Sequence, residues 1–233
     1  YVRVFDIEKW LLPAPSAVVA TIGDSAGMLA RHSWVTLEEI AVGFALALAA
    51  GVVLASAIGL SRTVERALYP FVIASQTIPI IVIALMLLIW VGYGLAPKVI
   101  VVALISFFPI VVNMADGLKS ADPDVVALMR TLGANRWQVF VKIQAPTSLP
   151  YLFSGMRVAI AVSVIGAVIG EWVGSSEGLG YLMIRSKPQF LTERVFAAIV
   201  ILSAMGVGLF ALVGIVERFA LPWQRGTRGQ QGI

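Results

Sequence analysis

An all-α membrane protein that crosses the bilayer several times is the fold class this sequence predicts, and three observations predict it. Only 13% of the 233 residues are charged and 59% are hydrophobic, where a soluble domain carries about 25% charge. The charges are not spread evenly: they cluster between apolar runs long enough to cross the ~30 Å of bilayer hydrocarbon. Between two of those runs lies one polar-interrupted stretch, residues 122–150, that reads as a small helical fold of its own.

In chain order, residues 1–37 carry no span. Phe5, Ile7, Trp10, Leu11 and Leu12 are interleaved with Asp6, Glu8 and Lys9, and Pro13 and Pro15 interrupt them. Residues 17–22 and 26–29 then read as a short helix pair. The segment is expected at the membrane interface, with Trp10 and Trp34 near the headgroups. Residues 40–60 are charge-free and, at ~1.5 Å per residue, long enough for a first span. Gly43, Gly51 and Gly59 let that span pack closely on neighbours. Arg62 and Arg66 follow. Residues 67–97 form the longest charge-free run and predict one span over about residues 71–91, with a Pro-distorted polar patch at Ser75, Gln76, Thr77 and Pro79. Residues 99–115 predict a third span, kinked at Pro109 and carrying Ser106 and Asn113. Residues 151–173 predict a fourth, with Arg157 near its start and Glu171 near its end. Residues 174–194 read as a polar loop with a short helix around Tyr181 and Arg185. Residues 195–216 are the fifth span, and residues 217–233 a basic, Gly- and Gln-rich tail. The division expected is an interfacial segment (1–37), a membrane domain (38–223) with its loop at 118–149, and a flexible tail (224–233).

The loop has the clearest local chemistry. Asp122-Pro123-Asp124 looks like a helix start: Asp122 or Asp124 can accept from the first free N–H groups, and Pro123 suits an early helical position. Val125, Val126, Leu128, Met129 and Leu132 then give a short amphipathic helix. Gly133, followed by Ala134 and Asn135, ends it as a left-handed cap does. A second short helix follows with Trp137, Val139, Phe140, Val141 and Ile143, and Pro146 and Pro150 bracket the entry to the next span. Lys119, Arg130, Arg136 and Lys142 make the stretch basic. It reads either as a solvated connector or as a docking surface. Apolar side chains such as Trp137 and Phe140, exposed on a connector, favour docking.

Several chemistries are excluded. There is no Gly-rich Lys-Ser/Thr phosphate loop, no cysteine, and a single histidine, His32, so neither an ATP site nor a thiolate or His-cluster metal site is expected. No nucleophile–base pair is present either. The net charge of +4 suits basic loops at a membrane face rather than a nucleic-acid partner. Polar groups at membrane depth each need a reason. Gln76 and Thr77 beside Pro79 are candidates for a solute path or a self-sealed kink. Asn113 reads as an interhelical hydrogen-bond former or a path-lining residue, and Arg157 as a snorkelling cation. Glu171 could cap a neighbouring helix, pair with Arg185 or Lys187, or meet an arriving partner. A transporter working alone on an ion gradient would need intramembrane acids, for which Glu171 is the one candidate in the spans. With the loop inside, the basic residues divide nine inside against seven outside, the expected direction.

The loop resembles the cytoplasmic coupling loop of the ABC-importer permeases, the inner-membrane components of binding-protein-dependent transport systems. That family's pattern is Glu-Ala-Ala, three residues, Gly, nine residues, Ile-x-Leu-Pro. Gly133, Ile143 and Pro146 match at the right spacings. Ala127-Leu128-Met129 stands in place of Glu-Ala-Ala, and Ala145 in place of the Leu. The stretches 107–113, 116–118, 164–172 and 178–181 are similar to the branch that carries nitrate, sulfonates, taurine and thiamine-precursor pyrimidines, with most likeness to hydroxymethylpyrimidine or riboflavin permeases. The resemblance implies a type I importer permease fold with five core spans; relatives usually have a further span before residue 40. It also implies two permease copies, a cytoplasmic ATPase dimer that binds ATP and Mg, and an extracytoplasmic binding protein. This chain would bind no cofactor. By the same resemblance, Asp122, Asp124, Leu128, Arg130, Gly133, Ala134, Asn135, Arg136, Trp137, Ile143 and Pro146 belong to the ATPase-coupling loop. Gln76, Thr77, Pro79 and Asn113 would line the solute path, and Glu171 and Arg185 would meet the binding protein.

Overall fold

A computed structural model describes residues 12–225, and every element in that range is helical. Helix α1 (Pro15–Asp24) starts on a proline that suits a first turn. Helix α2 (Ala26–Leu60) has 35 residues. The expected helix pair is therefore half right: residues 26–29 open the long helix instead of forming a second short one. The part of the N-terminal patch before Leu12 lies outside the described residues. Helix α5 is Leu95–Lys119, α8 is Ala145–Gly174 and α10 is Thr192–Ala220. Residues 217–220, read from sequence as tail, are thus the last turn of a helix, and a 3-10 turn over Pro222–Arg225 follows.

The expected second span is corrected. Residues 71–91 do not form one helix: α3 (Arg62–Ala74) ends and α4 (Ile80–Val91) begins after a turn. The Ser75 hydroxyl donates to the Val72 carbonyl at 2.7 Å and the Thr77 hydroxyl to the Ala74 carbonyl at 2.8 Å. Those hydroxyls close the last turn of α3, and Pro79, which has no N–H to continue the ladder, stands just before α4. A kink was expected and a full break is found. Helix α4 has 12 residues, about 18 Å, short of the ~30 Å hydrocarbon layer. Among the described residues four helical stretches are long and apolar enough to cross a membrane, with Ile80–Val91 as a shorter apolar helix; five full spans are not found.

The chain divides into two compact units. The first takes the described residues up to Phe44 with Pro79–Ile105 and Val162–Gly208; the second takes Ala45–Ile78, Ser106–Ala161 and the residues from Leu209 on. In the first, Leu29, Leu179, Leu182, Ala197 and Ala198 form one buried apolar cluster and Ala84, Leu87 and Val101 another. In the second, Ala55, Met114, Leu118 and Phe140 pack together, and Ile58, Val72, Val111 and Ala115 form a further cluster. The glycines of α2 serve close approach, as expected. A Cβ on Gly51 would stand 2.7 Å from the Ile110 side chain, and one on Gly59 2.7 Å from that of Leu118.

Candidate functional site

The loop after α5 folds as its residues dictate. Asp122 caps helix α6 (Pro123–Thr131), its Oδ1 accepting from the Asp124 N–H at 2.8 Å. At the other end the Gly133 N–H reaches the Arg130 carbonyl at 3.0 Å and the Ala134 N–H the Met129 carbonyl at 2.9 Å. That pair of bonds is the Schellman closure. Gly133 has φ +85, and no atom lies within 4 Å of where its Cβ would be.

Asn135 does more than the sequence reading assigned to it. It begins the next helix, α7 (Arg136–Val139), by a capping box: Asn135 Oδ1 accepts from the Gln138 N–H and Gln138 Oε1 from the Asn135 N–H, both at 2.9 Å. The Asn-x-x-Gln spacing was the available sign. Helix α7 does not stop before the next span. It continues through a π-helical turn (Phe140–Gln144) into α8, so neither proline ends the helix: Pro146 comes directly after the π-turn, where the regular ladder is already interrupted, and Pro150 is carried inside α8.

Helix α6 buries no residue. Leu128, Leu132 and Trp137 are 59%, 74% and 61% exposed, and they form with Arg130 and Arg136 an uncovered apolar and basic surface. Phe140, expected on that surface, is instead buried against Ala55, Met114 and Leu118. Trp137 stacks on its ring, with centroids 5.5 Å apart. Ile143 is half-buried and Pro146 exposed.

In the first unit Glu171 is 1% exposed. Its carboxylate accepts from the Thr36 hydroxyl at 2.6 Å, the Gly180 N–H at 2.5 Å and the Tyr181 N–H at 3.2 Å. Helix α9 (Leu179–Ser186) has no side-chain cap of its own. Of the roles open to Glu171, capping a neighbouring helix is the one its geometry has; buried in this way, it offers no surface to a partner and pairs with neither Arg185 nor Lys187. Arg185 is exposed and donates to the Tyr181 hydroxyl at 3.2 Å. Close by is an ion pair that sequence reasoning missed: Lys98 on α5 to Glu39 on α2, both buried, with the Lys98 ammonium also donating to Ser175 Oγ at 3.1 Å. The Glu38-Glu39 step at the start of an apolar run was the only sign.

The expected path residues are dispersed in role. Gln76, Thr77 and Pro79 lie exposed in the turn between α3 and α4. Asn113 is not seen to bond across to another helix; its amide donates to the Pro109 carbonyl four residues back at 2.8 Å. Arg157 does not snorkel freely but pairs with Glu217 of α10 at 2.6 Å.

Residues 47–221 match the family described as binding-protein-dependent transport system inner membrane component. The chain belongs to that family. This permease is 42% identical to the formylaminopyrimidine transport permease ThiX of Halalkalibacterium halodurans, over 94% of this chain and 88% of that protein. It is 36% identical to the riboflavin transport system permease RibX of Chloroflexus aurantiacus, over 92% and 81%. Its fold is shared with a chain of the MetNI methionine ABC transporter solved in an inward-facing conformation, at a TM-score of 0.73 and 17% identity, over 84% of this chain and 97% of that one. The permease is therefore a multi-pass inner-membrane component of an ABC importer, a class that works with an ATPase and a binding protein.

Proposed function

We propose that the permease carries a thiamine-precursor pyrimidine or riboflavin across the membrane, and that it is moved by a separate ATPase gripping the loop at residues 118–149. The observation that supports the second part is the uncovered surface of α6 and α7. Leu128, Leu132 and Trp137 stand out from a turn that two capping systems hold rigid, and a monomer rarely leaves such apolar side chains bare. A lever must be stiff to pass a push onward. The helical run from Arg136 through α8 has no break in which a push from the loop could be lost. ATP and Mg would be bound in the partner, none by this chain, and two copies of the permease would share the ATPase dimer, with the loop facing the cytoplasm. Residues 174–194, with Arg185 exposed and Glu171 holding α9 in place, would face the binding protein. Gln76, Thr77, Pro79 and Asn113 are proposed along the solute path.

The substrate class rests on the two relatives named for formylaminopyrimidine and riboflavin, both solutes built on a nitrogen-containing ring. Two experiments test these readings. Gly133→Val forces a β-branched residue to φ +85, a strained conformation. It is expected to leave membrane insertion intact and to reduce the ATPase recovered with the affinity-purified permease; normal recovery refutes the coupling assignment. For the solute, the cognate binding protein is titrated with hydroxymethylpyrimidine, riboflavin and taurine. Preference for taurine would move the permease to the sulfonate branch.

A further inference from the structure

His32, the single histidine of the sequence, holds the opening of α9 and can do so in one protonation state only. Its Nδ1 accepts from the Gly178 N–H at 2.9 Å. A backbone N–H only donates, so Nδ1 carries no proton and the imidazole is neutral, with its hydrogen on Nε2. Gly178 is the N-cap residue of α9, and that helix has no side-chain cap of its own. An imidazolium donates from both nitrogens. Protonation therefore sets donor against donor, and the Gly178 amide loses its partner. The other grip on the same turn is an ion pair. Arg31, next to His32, meets Glu177, next to Gly178, at 2.5 Å.

The surroundings let a proton in and oppose it at neutral pH. His32 is half-buried, lines a cavity of about 590 Å³ and precedes the charge-free run of residues 40–60, so it stands outside the hydrocarbon span. Each element at that cavity brings a charged or titratable group: Arg31 on α2, Glu177 on the turn before α9, Tyr181 and Arg185 on α9, and Arg194 on α10. Glu171 of α8 lies one contact further, behind the Thr36 hydroxyl. Burial lowers the His32 pKa; Glu177 works against that shift and Arg31 adds to it. The fold uses the neutral form. Its contribution to stability is therefore complete above the ordinary histidine value of about 6.5 and is lost as pH falls below it. We propose that His32 is an acid-operated latch on α9: a proton on Nδ1 releases the Gly178 amide and loosens the helix start at the face assigned above to the binding protein. The latch rests on the His32–Gly178 contact alone, whereas its effect on uptake rests on that assignment of the face.

The test compares the full-length permease with His32→Asn and His32→Ala in neutral detergent. The asparagine carbonyl keeps an acceptor close to the Nδ1 position and does not titrate. Hydrogen exchange of a peptide covering Gly178 to Ser186 is followed at about pH 8 and about pH 5.5, on either side of the histidine range, and corrected for the intrinsic pH dependence of exchange. Wild type is expected to exchange at least about tenfold faster at the acid value, as loss of one hydrogen bond allows. His32→Asn is expected to stay slow at both values and His32→Ala to be fast at both. Should His32→Asn fail to fold, the acid step of wild type and its absence from His32→Ala carry the test. An acid step that persists in either variant gives the titration to Glu171 or Glu177 and overturns the proposal, as does equal protection of wild type at both values. Stimulation of ATP hydrolysis by the binding protein in the reconstituted importer is the separate readout. It is expected to fall with acid in wild type and to hold in His32→Asn. Stimulation that ignores pH while the exchange step is present supports the latch and takes the binding protein away from α9.

Discussion

Four consecutive amides open α9, and each finds an acceptor that comes from outside the helix. The Gly178 N–H goes to His32 Nδ1, Leu179 to Thr36 Oγ1, and Gly180 and Tyr181 to Glu171. Helix starts leave such donors unsatisfied, and a buried start without partners would be unstable. Glu171→Gln replaces one acceptor oxygen by a donor that faces donors. It is expected to cost about 2–3 kcal/mol, read as a lower Tm of the detergent-purified permease; an unchanged Tm would remove Glu171 from this role. The two positive-φ glycines that matter make a matched pair. Gly133 has φ +85 with open space around it, whereas Gly178 has φ +113 and a Cβ there would run into the Glu171 carboxylate. Asn tolerates the left-handed region, so Gly133→Asn is expected to express and extract like wild type. Gly178→Asn meets the carboxylate and is expected to fall well below it, in yields compared by size-exclusion chromatography. Gly133 could be read from the sequence because its turn is local. Gly178 could not, because the atoms that forbid a side chain come from residue 171.

The break between α3 and α4 marks where reading elements from sequence fails. A charge-free run reports burial in lipid or protein, not continuity of the hydrogen-bond ladder, and residues 67–97 carry no charge that would mark an end. The ladder is closed by hydroxyls taking carbonyls three residues back, a competition that hydropathy does not register. The loop at 122–139 was legible in its starts and stops because Asp-Pro, Gly and Asn act within four residues of themselves. Its join to α8 was not, because Pro146 looks like a boundary unless a π-turn before it has already loosened the ladder. The break has a consequence that labelling can read. Non-helical backbone cannot face lipid, so Thr77, exposed in that turn, must border water or another chain. The permease has no cysteine, which makes Thr77→Cys a sole thiol. In membranes it is expected to react with a water-soluble maleimide, while Leu85→Cys on α4 stays unreacted because a thiol in hydrocarbon does not ionise. Equal protection of both would place the turn against another chain instead of water.

At the scale of the whole chain, each compact unit has an ion pair that ties two of its long helices together. In the first unit Lys98 of α5 meets Glu39 of α2, and in the second Arg157 of α8 meets Glu217 of α10. Neither pair was foreseen, because partners some sixty residues apart leave no mark in local spacing; α2, α5, α8 and α10 themselves were legible from apolar length alone. The Glu39 side chain is fully buried and that of Lys98 nearly so, while Arg157 keeps 34% of its side-chain exposure. Removing one member of a buried pair leaves an uncompensated charge and costs about 3–5 kcal/mol, whereas replacing both by apolar residues of similar size is often neutral. Lys98→Met is therefore expected to collapse the yield of monodisperse permease, and the double change Lys98→Met with Glu39→Met to recover most of it. The second unit follows the same order with a smaller amplitude, because water reaches Arg157 and screens what remains. Arg157→Met is expected to lower Tm, and Glu217→Met added to it to restore part of the loss. If the double variants are no better than the singles, the charges act through contacts outside their pairs. A rescue in the first unit and none in the second would confine the pairing argument to Lys98 and Glu39.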